Sequence, residues 1–336
     1  MSTSAPLASV RSFLMPTRVN RWVRSLAWAS LLANALLIVT GGAVRLTGSG
    51  LGCPTWPRCT DESWTNTPEM GIHGVIEFGN RLLTFLLIII ALLTFLAVVR
   101  LHARHRLFWK LSLAIGIGII LQAVIGGITV RTGLNPWVVG IHLVLSVVLV
   151  AIAGVLVTRT RRASLEQVAV GERAGQLVGR HRAGARGLAL VLAVSGFLAI
   201  YLGTLVTGTG PHSGDAGEVV RHTFDPYVIT RVHVVPVYVL AATAAVGLAA
   251  AVRLRWPAAL RRVFLVLAVL VAAQAAIGYY QFFNGVPVLA VGLHMAGAAA
   301  LAAVIAMTVD KVYAVSGTPG DAPVAPGSGH RASVTA

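Results

Sequence analysis

The chain has 336 residues, 56% of them hydrophobic and only 11% charged, with a mean hydropathy of +0.80. A folded domain with a water-facing surface needs more polar residues than that, so the composition excludes a soluble enzyme or soluble binding module. The net charge of +16 is not a nucleic-acid footprint, because the basic residues fall between apolar runs of spanning length and not along one stripe.

Arg11, Arg18, Arg21 and Arg24 precede the first apolar run, which lacks a small-residue cleavage site and therefore reads as an uncleaved first helix. Apolar runs then fall at 23–45, 74–99, 109–130, 138–158, 186–207, 230–252, 260–282 and 288–310. Each is long enough to cross a hydrocarbon core of ~30 Å at ~1.5 Å per residue, which predicts eight transmembrane helices. With the N-terminus inside, Arg100, Arg104, Arg106, Lys110, the cluster from Arg159 to Arg186, Arg253, Arg255, Arg261, Arg262 and Lys311 are cytoplasmic. The outer face keeps Arg45, Arg58, Arg81, Arg131, Arg221 and Arg231, so the positive-inside rule supports both the count and the orientation, with both termini cytoplasmic.

The segment 159–185 is rich in Arg, Gly and Ala and 312–336 in Gly, Pro, Ser and Ala, and neither composition can bury a core. The expected organisation is a cytoplasmic segment at 1–22, a four-helix half at 23–158, an Arg-rich cytoplasmic linker at 159–185, a second four-helix half at 186–311 and a disordered cytoplasmic tail at 312–336. Anionic lipid is the default partner of the linker.

The linker also divides a duplication. Gln122-Ala-Val-Ile-Gly126 precedes Gly140-Ile-His142, and Gln274-Ala-Ala-Ile-Gly278 precedes Gly292-Leu-His294, with a Gln-to-His spacing of 20 in both. Thr47-Gly48-Ser49-Gly50 after the first helix recurs as Thr207-Gly208-Thr209-Gly210 after the fifth. Halves with an even number of spans share one orientation, so the expected fold is all-α and polytopic, two tandem four-helix-bundle repeats related by a pseudo-two-fold axis along the membrane normal.

Of ten histidines, His102, His105, His181 and His330 fall in cytoplasmic segments and read as solvated surface. His142, His233 and His294 lie within the first turn or two of helices 4, 6 and 8, counted inward from the outer face, and so form one layer. Facing imidazoles inside a bundle suit the two axial positions of a haem iron, and His233 with His294 makes such a pair. Hydrogen bonding between helices is the bland alternative for any single one of them. In the first half the position matching His233 is Asn80, a poor iron ligand. Beside it, His73, Glu77 and Asn80 share one helical face, where Glu77 reads either as a proton acceptor or as a salt-bridge partner of Arg81.

Cys53 and Cys59 are the only cysteines and bracket a short outer loop, where oxidising conditions favour a disulfide over a zinc site. Whether such a pair is structural or redox-active is left open. Arg45, Arg81, Arg131 and Arg231, at outer helix ends, suit carboxylates such as haem propionates, or lipid phosphate.

The run Gly41-Gly-Ala-Val-Arg45-Leu-Thr-Gly-Ser-Gly50-Leu-Gly-Cys53-Pro-Thr-Trp-Pro57-Arg-Cys59, followed by Glu77-Phe-Gly-Asn80-Arg81, closely resembles the haem A synthase family, with similarity from about residue 20 to 312. The resemblance implies an eight-helix protein of the bacterial cell membrane, its haem sites towards the outer face, that oxidises the C8 methyl of haem O to a formyl group by two hydroxylations and a dehydration. It implies haem b on His233 and His294, haem O near His142, Asn80, His73, Arg81 and Arg45, Glu77 as the catalytic carboxylate, and a Cys53–Cys59 disulfide. Where the family carries histidine in Glu-x-x-His-Arg this chain has Asn80, so the substrate is expected on His142 alone or with His73 as substitute. The implied partners are haem O, haem O synthase (protohaem farnesyltransferase) and an unnamed electron acceptor; a homo-oligomer stays open. The rivals are a dihaem b-type electron-transfer cytochrome, counted against by Asn80, and a transporter, whose sites belong nearer the bilayer midplane.

Overall fold

The structure is a computed structural model that describes residues 10–168, 177, 179–212, 214, 215, 217 and 219–315. Among these residues, eight helices are long and apolar enough to cross a membrane. They are α1 (Arg21–Leu46), α2 (Gly71–Val99), α3 (Arg106–Arg131), α4 (Pro136–Val168), α5 (Gly179–Thr209), α6 (Pro226–Arg253), α7 (Ala258–Phe283) and α8 (Val288–Val315). Their outward faces carry exposed Phe85, Ile89, Ile120, Leu190, Val235 and Leu293, a distribution that water would not tolerate and that a hydrocarbon solvent requires.

Local chemistry sets several helix starts. The Asn20 side chain accepts from Val23 N at 3.1 Å to open α1, and the Asp225 carboxylate accepts from Tyr227 N and Val228 N, both at 2.9 Å, to open α6. Pro136 and Pro226 occupy first helical positions, where a missing N–H costs nothing. Pro236 lies inside α6, three residues beyond His233, and deprives the Val232 carbonyl of its usual donor.

The first four helices close a ring, each packed on the next and α1 on α4; the last four do the same, with α5 on α8. The two rings meet where α4 packs on α8, α1 on α8 and α4 on α5. Exchanging α1–α4 with α5–α8 maps this set of pairs onto itself. At the α4–α8 seam Thr158 Oγ1 donates to Asp310 Oδ2 at 2.7 Å across a separation of 152 residues, the same that divides His142 from His294. Small residues, Ala153, Gly154, Ala302 and Ala303, let the two backbones approach there.

The segment expected as an Arg-rich linker from 159 is instead helical as far as Val168, and α5 begins at Gly179. Arg, Ala, Leu and Glu are good helix formers, Arg159 Nε donates to Asp310 Oδ1 at 2.6 Å, and Arg162 pairs with Glu166 one turn on. A helix leaving the bilayer loses its apolar signature without losing its backbone hydrogen bonds. The expected tail beyond Val315, with His330, lies outside the described residues.

Candidate functional site

Four interior positions carry the polar chemistry of the bundle. His142 on α4, His233 on α6 and His294 on α8 each bury Nδ1 without a hydrogen-bond partner, and Asn80 on α2 does the same with Oδ1. On these four even-numbered helices they are the only such atoms among the described residues. A buried polar atom left unpaired costs about 1–3 kcal/mol, and its recurrence at four corresponding places points to a ligand that relieves it. His233 and His294 also lie near enough to interact electrostatically.

Each histidine stands against a glycine of the preceding helix. A Cβ placed on Gly126 would lie 3.3 Å from His142 Cε1, one on Gly203 3.2 Å from His233 Cε1, and one on Gly278 3.6 Å from His294 Cε1. The glycines leave the rings the width they need. The His142 carbonyl is fixed by Gln122, whose Nε2 donates to it at 2.9 Å while also bonding Ser146 Oγ.

Above the first ring lies the loop closed by a Cys53–Cys59 disulfide. Glu77, 5% exposed, accepts from Cys53 N at 2.5 Å through Oε2 and from Arg81 Nε at 3.1 Å and Nη2 at 2.5 Å through Oε1. Arg81 spends its remaining reach on the same loop, donating to the carbonyls of Cys53 at 2.9 Å, Thr55 at 3.0 Å and Arg58 at 3.1 Å. The salt bridge expected of Glu77 exists, and it holds a buried carboxylate beneath the loop. Trp56 lies so close on Gly127 that a Cβ there would come within 2.3 Å of its ring, which seats the loop on α3. Arg131 Nη2 donates to the Trp56 carbonyl at 3.2 Å, and Arg231 is exposed.

His73 is not at the level of Asn80. Seven residues, ~10 Å along a helix, separate them, and His73 Nδ1 is hydrogen-bonded to Ser49 Oγ at 2.8 Å. Ser49 is fully buried and its backbone forms a bridge with Asp215, while Gly50 N donates to Gly214 O at 2.7 Å. A Cβ on Gly50 would lie 2.6 Å from that carbonyl, so only glycine permits this crossing between the α1–α2 and α5–α6 loops. Arg45 joins the same junction, its Nη2 donating to the Thr207 carbonyl at 2.8 Å.

Two histidines gave no sequence signal. His212 Nε2 bonds the Val286 carbonyl at 2.9 Å, which ties the α5–α6 and α7–α8 loops together. His222, 8% exposed, packs its ring edge-on against Trp137 at 4.4 Å. Both sit in the polar α5–α6 loop, where exposure is the default expectation, and only the fold of that loop buries His222.

The fold and these positions define a class: a polytopic helical membrane protein with three buried imidazoles near one end of its helices. The chain belongs to the cytochrome oxidase assembly protein family, whose profile matches residues 24–306. It is 30% identical over 207 residues to a protein named heme A synthase from Methylobacterium radiotolerans, covering 53% of each. Over 142 residues it is 32% identical to a heme A synthase of Geobacillus kaustophilus, covering 40% of this chain and 42% of that one. A 75-residue stretch, 22% of this chain and 12% of the other, is 39% identical to a protoheme IX farnesyltransferase of Thermus thermophilus. The chain thus spans about half the length of the first of these relatives and less of the others.

Proposed function

We propose that the chain is a haem A synthase of the bacterial cell membrane, oxidising the C8 methyl of haem O to a formyl group. The observation that carries this reading is the set of four corresponding interior positions, three imidazoles and one carboxamide, each with a buried atom lacking a partner. The names of the relatives point to the same chemistry. Two imidazoles, His233 and His294, suit a haem b that stays, and the single imidazole of the half that carries Asn80, His142, suits a haem that must react and leave. When bound, haem b supplies a one-electron redox centre beside the substrate half.

Each hydroxylation of a methyl group by water passes two electrons to a separate electron acceptor and releases two protons, and a second followed by loss of water leaves the aldehyde. We assign Glu77 as the group that takes a proton as water attacks, with Arg81 and the Cys53 N–H holding its carboxylate in place. The disulfide loop keeps bulk water off the reacting edge. His73, engaged by Ser49 and two turns away from Asn80, is not a substitute ligand, and His142 alone holds the substrate iron. Arg81, with its donors spent on the loop, acts on the substrate through Glu77 alone. The similarity to a protohaem farnesyltransferase fits a supplier of haem O within the same membrane. The Arg and Lys distribution supports cytoplasmic termini and haem sites towards the outer face.

The test is expression of the full chain with and without a haem O source, followed by pigment extraction and chromatography. Haem A is expected only when both are present. Two firmly retained b-type haems and no haem A would make the chain an electron-transfer cytochrome instead.

A further inference from the structure

We infer a carboxylate-binding site at the outer junction of the two halves, built from Arg45, Arg221 and His222, that receives a propionate of a bound porphyrin. It rests on the reading above. Arg45 ends α1 in the first half; His222 and Arg221 belong to the α5–α6 loop of the second.

Arg45 uses one nitrogen on the Thr207 carbonyl, but its Nε is buried without a partner. His222 is held by its backbone, N donating to the Gly208 carbonyl at 3.0 Å, and by its ring, wedged between Trp137 and the bare backbone of Gly208. A Cβ on Gly208 would lie 2.5 Å from His222 Cδ2. The ring is therefore fixed, yet its Nε2 is buried and unpaired. The charge of Arg221 bears on Arg45, and that of Arg45 on His222, so the three groups are close enough to repel. Among the described residues the ion pairs are Glu77–Arg81, Arg159–Asp310 and Arg162–Glu166, and none of them answers this cluster.

Two fixed, buried nitrogens without partners, together with a converging positive charge, cost free energy in the empty site and return it when an anion arrives. The position says which anion. On α5, Gly208 lies five residues, ~7 Å, outward from Gly203, which faces the His233 ring. On α4, Trp137 lies equally far outward from His142. A porphyrin held at either imidazole extends its propionates over about that distance, so its carboxylate is the ligand chemistry, supplied by haem b or by haem O. Burial then pays the carboxylate back in strength, because charge-assisted bonds gain as water is excluded.

The experiment titrates the full-length protein in detergent with protohaem, with haem O, and with the dimethyl ester of each, following the Soret band. Wild-type protein is expected to bind at least one free acid about tenfold more tightly than its ester. The porphyrin that shows the preference is the source of the carboxylate. Arg45→Gln and His222→Phe, the latter keeping a ring against Trp137, should each bring the acid down to the affinity of the ester and leave the ester unchanged. Equal affinity for acid and ester in the wild type, a comparison that needs no variant, would overturn the site while leaving haem binding intact. Full preference retained in both variants would overturn it too. Uptake of neither porphyrin in any form would bring down the proposed function and this site together.

Discussion

Glu77 is held by donors from two elements, Arg81 one turn along its own helix and the Cys53 N–H of the loop above. Glu77→Gln keeps an acceptor for the Cys53 N–H and removes the charge, so haem b should be retained while haem O or its hydroxylated form accumulates. Normal haem A yield from that variant would take Glu77 out of the mechanism. On the proposed function, Asn80 sets how firmly the first half would hold iron. Asn80→His would create a second imidazole pair, and the expected outcome is haem O that survives purification on the protein, with a lower turnover; unchanged retention would disprove the asymmetry between halves. His222 carries a pH dependence. Burial, and after it the charge of Arg45, push its imidazole below its ordinary range. The neutral form is thus favoured by folding, so the stabilisation is complete above the ordinary imidazole range and is lost as pH falls towards the depressed value. In haem-free protein the thermal midpoint should drop between about pH 7 and 5, less so in His222→Phe.

At the scale of elements, helices and glycines work in pairs. Gly203 of α5 leaves room for His233 of α6, and the same relation joins Gly126 to His142 and Gly278 to His294. Gly203→Val places methyl groups where the His233 ring now stands, and the expected result is loss of the haem b absorbance. Gly116→Val is the control, since nothing stands within 4 Å of a Cβ there, and it should keep the pigment. A Gly203→Val protein with full haem b would break the link between glycine and ligand. The 53–59 loop is an element of the same kind: its disulfide closes it, and its position is set by Arg81, Glu77 and the seat of Trp56 on Gly127.

At the scale of the whole molecule, the halves are joined at both ends. At one end the Ser49–Asp215 bridge, the Gly50–Gly214 hydrogen bond and Arg45 connect them, and at the other Asp310 is shared by Thr158 and Arg159. Asp310→Ala leaves the half-buried Arg159 without its acceptor and should cost about 1–3 kcal/mol, read as a lower thermal midpoint with the haem spectrum of the remaining folded protein unchanged. An unchanged midpoint would show that the α4–α8 seam rests on its small residues alone. Eight helices and their approximate limits were legible in the amino-acid order because a hydrocarbon solvent leaves only one way to satisfy the backbone, and because that demand writes itself as apolar length. His142, His233 and His294 were legible as well, since polar residues in such runs stand out, and the cysteine pair through its isolation. The helical extension through Val168 was not, because it leaves the bilayer and with it the apolar code. Nor was the burial of His222, the engagement of His73 by Ser49, or the commitment of Arg81 to three loop carbonyls. These depend on which backbone carbonyl or ring comes to lie beside a side chain after loops from two halves have met. Solvent determines spans residue by residue; the partners of a buried nitrogen are settled only by distance, and distance belongs to the tertiary structure.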